Sequence, residues 1–205
     1  MLESSDSKTP TKNKTISMKK KKSVKIIDDN PNVKIINVIS EILKNMCKDN
    51  NTTEINEQNI LSNKKIKLFM LKKIPSISIN DYLLRLSKYS KLDKSTIIFI
   101  LIYIDRICHK YNFKINNYNI YKLILAAMVI AIKFNEDEYY TSSFYSKLGG
   151  ISIIEMNQLE YEFATMINFN LFIKEDLFYQ YYNLLKTYKN NMVNDNSNDD
   201  KSNKK

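Results

Sequence analysis

Residues 97–102, with the sequence IIFILI, decide the fold of this chain because all six are apolar. A helix that is apolar on every side must be surrounded by other structural elements. Asp93 or Ser95 is placed to begin such a helix, since both residue types favour helix N-caps. The segment therefore predicts a buried helix at the centre of the domain.

The scarcity of turn-forming residues predicts that the other elements are helices as well. The 205 residues include only 2 Gly and 3 Pro, which sheet proteins need for their turns. Hydrophobic residues make up 43% of the chain, which is enough for one core. We therefore expect an all-α domain whose helices are joined by polar loops.

Start and stop signals mark the neighbouring helices. Ser78 and Ser152 are followed three residues later by Asp81 and Glu155, a spacing typical of helix starts. The two glycines, at 149 and 150, form a stop signal because a helix often ends on a left-handed residue. Beside the central helix, these signals and the helical spacing of apolar residues predict helices over about residues 33–46, 78–89, 118–134, 141–150, 152–167 and 174–188.

Composition divides the chain into a core and two tails. Residues 74–172 hold five predicted helices in a row, which we expect to form an orthogonal bundle around the two most apolar ones, the helix that contains residues 97–102 and the helix over about residues 118–134. An N-terminal helix and loop over residues 31–73 and a C-terminal helix over residues 173–188 flank this bundle. Residues 1–30 and 189–205 are polar and rich in charge, which predicts disordered tails.

The net charge of +10 is concentrated in the tails. Residues 1–30 hold eight Lys against four acids, and residues 186–205 hold five Lys against three acids, which leaves about +4 for the rest. The run Lys19–Lys22 is the sharpest cluster. It has two interpretations that stay open, a solvated tail and a nuclear import signal.

The residues that enzymes and metal sites need are missing from the pattern. His109 is the only histidine, Cys47 and Cys108 are far apart, and two adjacent glycines cannot form a phosphate-binding loop. No apolar run reaches the length of a membrane span. We therefore expect a binding module without catalytic residues, metal or cofactor, which acts on no small-molecule substrate and associates with no membrane.

Four charged residues lie close to apolar helix faces. Asp105 sits inside the central helix, where a buried carboxylate needs a partner, and Arg85 lies at the edge of the preceding helix's apolar stripe. We predict an Arg85–Asp105 salt bridge, the alternative being that Arg85 reaches solvent. From the residues alone, Lys133 and Glu160 are best interpreted as a dipole-compensating lysine and a surface glutamate.

Several motifs, taken in order, resemble the cyclin box over about residues 74–172. The subtype resembles the P/U-type cyclins, which typically have one box, in the segments 75–79, 81–85 and 147–157. The box motifs are Tyr103-Ile104-Asp105-Arg106, Ala126-Ala127-Met128, Ala131-Ile132-Lys133-Phe134, Leu159-Glu160-Tyr161 and Ile167-Asn168-Phe169-Asn170-Leu171.

The resemblance implies a non-enzymatic subunit that binds and activates a cyclin-dependent serine/threonine kinase in cell-division control, in the nucleus or cytoplasm. Lys133 and Glu160 would then grip the kinase, and Arg85 with Asp105 would form the internal bridge. Apolar docking surface would come from Ile130, Phe134 and Phe163, although each could equally belong to the core.

One departure from the family pattern is Ile132, which stands where a small residue is usual.

Two other functions stay open. One is a cyclin-like transcription factor that binds nucleic acid, which the expected kinase regulator would not do. The other is a scaffold that binds a kinase without activating it.

Overall fold

The computed structural model describes residues 30–51 and 64–202, with side chains described at 30–50 and 65–190. The run Lys19–Lys22, almost all of the predicted N-terminal tail and most of the predicted loop before residue 64 lie outside the described residues. The described part contains eight helices, which are α1 Val33–Asn51, α2 Lys64–Leu68, α3 Ile79–Ser90, α4 Lys94–Tyr111, α5 Ile120–Asn135, α6 Ser142–Gly149, α7 Ile153–Met166 and α8 Glu175–Ser202.

Helix α5 forms the centre of the molecule. Every residue from Leu123 to Ile132 is buried. Helix α4 packs along one side of α5 and α7 along another, while α1 packs against α3, and α8 contacts both α1 and α4. Ala126 and Ala127 are fully buried, and their small side chains allow close helix approach. The predicted all-α bundle with a flanking helix on each side is confirmed.

The predicted helix starts are confirmed in atomic detail. The Oγ atoms of Ser78 and Ser152 accept hydrogen bonds from the backbone N–H groups of Asp81 and Glu155, at 3.0 and 3.1 Å. Glu155 does not complete a capping box, because its carboxylate pairs with Lys122 Nζ at 2.8 Å. Helix α6 ends at Gly150, which has the predicted left-handed conformation with φ of 73°.

The flanking elements differ from the prediction in their extent. Helix α8 was expected to end at residue 188, with a disordered tail from 189, but it continues to Ser202. Residues 189–202 contain neither glycine nor proline, so no stop signal ends the helix. Helix α1 extends to Asn51, and the short helix α2 lies where a loop was predicted.

The chain leaves α7 in a turn that α4 holds in place. Asn168 and Phe169 both have positive φ values, of 55° and 53°. The hydroxyl of Tyr103 donates to the carbonyl of residue 171 at 2.7 Å, and Arg106 donates to the carbonyls of residues 170 and 172. Lys110 Nζ donates to the carbonyl of residue 166 at 2.8 Å. The bond from Lys110 satisfies one of the carbonyls that the end of α7 leaves free, and the other bonds hold the turn that follows.

None of the helices in the described residues is long and apolar enough to cross a membrane.

The left-handed residue that ends α3 offers a test of the fold's local energetics. Lys91 has φ of 51° and ψ of 44°. We expect Lys91→Gly to raise the free energy of unfolding by about 0.5–1 kcal/mol, because glycine adopts this conformation without steric cost. Gly150→Ala should lower it by about 1 kcal/mol, since no heavy atom lies within 4 Å of the added Cβ and the strain alone acts. Urea unfolding measures both, and a less stable Lys91→Gly variant would contradict the argument.

Candidate functional site

Lys133 and Glu160 meet at the surface where α5 and α7 come together. Lys133 Nζ lies 2.6 Å from Glu160 Oε1 and 2.8 Å from Oε2. The same ammonium donates to Ser142 Oγ, at the first residue of α6, over 3.1 Å. The two side chains remain 29% and 24% exposed. Three helices therefore hold one ion pair at a position that a second protein can reach.

The position of Lys133 follows from the burial of α5. Ile132 is the last residue in the fully buried part of that helix, and Phe134 is already 49% exposed. Lys133 therefore stands where the helix emerges from the core. The departure from the family pattern at Ile132 does not disturb the pair, because Ile132 is itself buried and Lys133 still reaches Glu160.

Exposed apolar side chains lie on the two helices that form the ion pair. Phe134 follows Lys133, and Tyr161 follows Glu160 with 63% of its area exposed. Ile153 is also exposed and lies on the same face of α7 as Glu160, since seven residues make nearly two turns. We call Lys133, Ser142, Glu160 and these three apolar residues the α5–α7 rim.

Two residues predicted to contribute to this surface lie in the core instead. Ile130 is 4% exposed and Phe163 is fully buried. Phe163 packs edge-to-face against Phe69, which follows α2, with ring centroids 6.1 Å apart. The prediction is wrong for these two, and for Phe163 the reason is that α2 brings a covering residue. Of the three predicted apolar residues, only Phe134 is exposed.

The predicted Arg85–Asp105 salt bridge is also wrong. Arg85 Nη2 donates to the carbonyl of Leu148 at 2.7 Å, and its guanidinium lies over the ring of Tyr82. Asp105 Oδ2 accepts a hydrogen bond of 2.5 Å from the hydroxyl of Tyr181 in α8. Helix α3 packs against α1, α5 and α6, so Arg85 faces α6 and Asp105 finds its partner in α8.

The Tyr181–Asp105 hydrogen bond affects stability in a pH-dependent way. Burial and the bond to Asp105 raise the pKa of the Tyr181 phenol above its ordinary range. A group whose pKa is higher in the folded state stabilises the fold below its unfolded pKa, about 10 for tyrosine. That contribution is lost as the pH rises through the folded value.

We expect Tyr181→Phe to lower the free energy of unfolding by about 1–2 kcal/mol at pH 7, because Asp105 loses a charge-assisted hydrogen bond. Above about pH 10 the wild-type chain should lose stability more steeply than the variant. Thermal unfolding between pH 7 and pH 11 measures both effects. Tyr179→Phe serves as the control, since Tyr179 is exposed and only two residues away. Equal stability of the two variants would rule out the bond's contribution.

Comparisons with known proteins agree with this architecture. The family model described as Cyclin matches residues 5–171, a range that starts well before residue 74 and includes α1. The PHO85 cyclin-like protein psl1 of Schizosaccharomyces pombe is 38% identical over 178 residues, which cover 81% of this chain and 72% of that protein.

Two further relatives are more distant in sequence. Cyclin-U4-1 of Arabidopsis thaliana is 31% identical over 77% of this chain and 78% of its own length. PHO85 cyclin-7 of Saccharomyces cerevisiae is 31% identical over 82% of this chain and 66% of its own length. With the all-helical fold and the matched range, these similarities show that the chain belongs to the cyclin family, as a P/U-type cyclin with a single cyclin box.

Proposed function

We propose that this cyclin is the regulatory subunit of a cyclin-dependent serine/threonine kinase and that the α5–α7 rim is where the kinase binds. The observation that carries the site is the contact between Lys133 and Glu160 at a partly exposed position. Cyclins are regulatory subunits and not enzymes, so the phosphoryl transfer belongs to the kinase. The relatives named as PHO85 cyclins support a kinase of that type as the partner.

The ion pair is suited to recognise polar groups on a partner. Glu160 and Ser142 already hold the ammonium of Lys133, so little side-chain freedom is lost on binding. The carboxylate has acceptor capacity for more than the bonds it makes to Lys133. An ammonium and a carboxylate side by side present a donor and an acceptor in fixed order. Such a pattern favours one register of the partner over others.

The apolar members of the rim would supply much of the binding energy. Phe134, Ile153 and Tyr161 expose hydrophobic surface on the helices that hold the ion pair, and aromatic anchors dominate many interfaces. Covering these side chains removes apolar area from water. The division of roles is then affinity from the apolar residues and register from the charges.

Activation follows if the rim binds only the active placement of the kinase's mobile helix. In that placement a glutamate of the helix pairs with the phosphate-binding lysine. A regulator shifts the kinase toward this state by its difference in affinity for the two states. A shift from 1:99 to 99:1 requires a difference of about 5.5 kcal/mol. A docking surface with a central apolar patch and one ordered ion pair can supply energy on this scale.

We place this activity in cell-cycle control, in the nucleus or cytoplasm. The comparisons give no support to a nucleic-acid-binding transcription factor or to a scaffold that leaves the kinase inactive. The proposed function needs no nucleic acid, membrane or small-molecule substrate. It requires only that the cyclin and its kinase meet.

Replacing both members of the ion pair tests the docking site. We expect Lys133→Ala combined with Glu160→Ala to weaken kinase binding by about 2–5 kcal/mol, which is enough to abolish co-purification. Helical content should stay unchanged, because removing both charges leaves no unpaired ion. Co-purification with the kinase and far-UV circular dichroism measure the two expectations.

A second ion pair on the same helix provides the matched control. Lys65 Nζ lies 3.2 Å from Glu162 Oε2, and Glu162 is two residues from Glu160 on another face of α7. Lys65→Ala combined with Glu162→Ala should leave both kinase binding and kinase activation intact. Undiminished binding by the Lys133/Glu160 variant would remove the site assignment. A kinase that is bound by the wild-type chain but gains no activity would make the protein a scaffold.

A further inference from the structure

A basic groove runs between α1 and α8, beside the start of α4. Its volume is about 280 Å³, and four lysines stand around it, which are Lys34, Lys94, Lys186 and Lys189. All four are exposed. No lining residue of the groove, among those that the structure describes, carries a carboxylate. The groove therefore concentrates positive charge over an opening large enough for a small ligand.

The two helices present matching faces to the groove. On α8, Tyr182, Leu185, Lys186 and Lys189 follow the spacing of residues that share one helix face. Leu185 is buried, as are Ile35 and Val38 on the facing side of α1. Apolar side chains thus form the floor, and the ammonium groups stand above it at the rim.

Lys34 is placed where it opposes the stability of its own helix. Lys34 lies in the first turn of α1, which contains no acid. Lys94 is the first residue of α4, where Glu136 Oε1 accepts a hydrogen bond from the Asp93 N–H at 3.2 Å. A cation at a helix N-terminus is unfavourable, because that end already carries positive partial charge. Helices α3, α7 and α8 begin with the expected acids instead.

None of the four groove lysines forms an ion pair within the described part of the chain. The ion pairs found within residues 30–50 and 65–190 involve Lys44, Lys65, Lys122 and Lys133, and none involves a groove lysine. Lys94 Nζ lies 3.4 Å from the hydroxyl of Tyr182 and 4.7 Å from the centre of its ring. Asp93, next to Lys94, does not line the groove. Four like charges in one place repel one another, and an anion would reverse that cost.

We propose that this groove binds a small molecule that carries a chain of two or more phosphate groups. Lysine ammonium groups are point charges suited to phosphate oxygens. Four of them suit a ligand that carries several phosphate groups better than a ligand that carries a single phosphate. The groove volume suits a small molecule better than a folded partner. A nucleoside triphosphate and an inorganic polyphosphate share this chemistry. The groove contains no residue of the α5–α7 rim, so the proposal does not depend on kinase docking.

Titration of the full chain, without kinase, tests the proposal. The probes are ATP, inorganic tripolyphosphate and adenosine, and calorimetry measures the binding of each. Salt at about 150 mM screens weak attraction to the protein surface. The groove variant is Lys186→Gln with Lys189→Gln. The control variant is Lys72→Gln with Lys73→Gln, which removes the same charge from exposed residues outside the groove. Thermal unfolding verifies that both variants are folded.

We expect ATP or tripolyphosphate to bind with a stoichiometry of one, and the groove variant to bind at least about tenfold more weakly. The control variant should stay within about twofold of the wild type, and adenosine should not bind. Tighter binding of ATP assigns a nucleotide as the source of the phosphates, and tighter binding of tripolyphosphate assigns an inorganic chain.

Three results would overturn the proposal. One is the absence of saturable binding by both phosphate probes, and another is an equal loss of affinity in the groove and control variants. The third is tighter binding of an oligothymidylate than of ATP to the wild-type chain, together with weaker binding of that oligothymidylate to the groove variant. This result would make the groove a nucleic-acid site. Kinase co-purification by the groove variant should be unchanged, so this test and that of the docking site fail independently.

Discussion

The burial of α5 is the constraint on which the rest of the structure depends. Its residues from Leu123 to Ile132 have no exposed side, so other helices must cover it all round. Helices α4 and α7 do so on two sides, and α3 and α6 contact it as well. Lys133 comes directly after this buried stretch and is therefore the first side chain on that side of the core able to carry a charge to the surface. The position of the ion pair is a consequence of where the core ends.

The turn that follows α7 provides a second link between the helices of the bundle. Tyr103, Arg106 and Lys110 reach from α4 to the backbone carbonyls of that turn, where two residues have positive φ. Because α4 also packs along α5, it ties the end of α7 to the helix that carries Lys133. The Tyr-Ile-Asp-Arg motif thus contributes to the site without touching it, since Tyr103 and Arg106 hold the turn and Asp105 binds α8.

Local signals were sufficient to predict the helices of the central bundle, but not the short helix α2, the full length of α8 or the contacts between helices. Ser78, Ser152 and Gly150 act within a few residues of themselves, so their roles could be inferred from spacing alone. The partner of Asp105 could not, because Arg85 and Tyr181 are both chemically suitable and only the packing of α3 and α8 decides between them. The residues alone did not predict the contact between Lys133 and Glu160, because it spans 27 residues of sequence. Only the resemblance to the cyclin family implied that the two side chains act together.

The two surfaces of the molecule differ in how their charge is balanced. In the α5–α7 rim the ammonium and the carboxylate neutralise each other, so the pair adds no net charge and attracts a partner only at short range. Four lysines line the groove between α1 and α8, and none of its described lining residues carries a carboxylate. Long-range attraction of anions is therefore directed at the groove and not at the rim. If the rim is the kinase-binding surface, as proposed, its neutral pair makes that contact less sensitive to ionic strength than binding of anions in the groove would be.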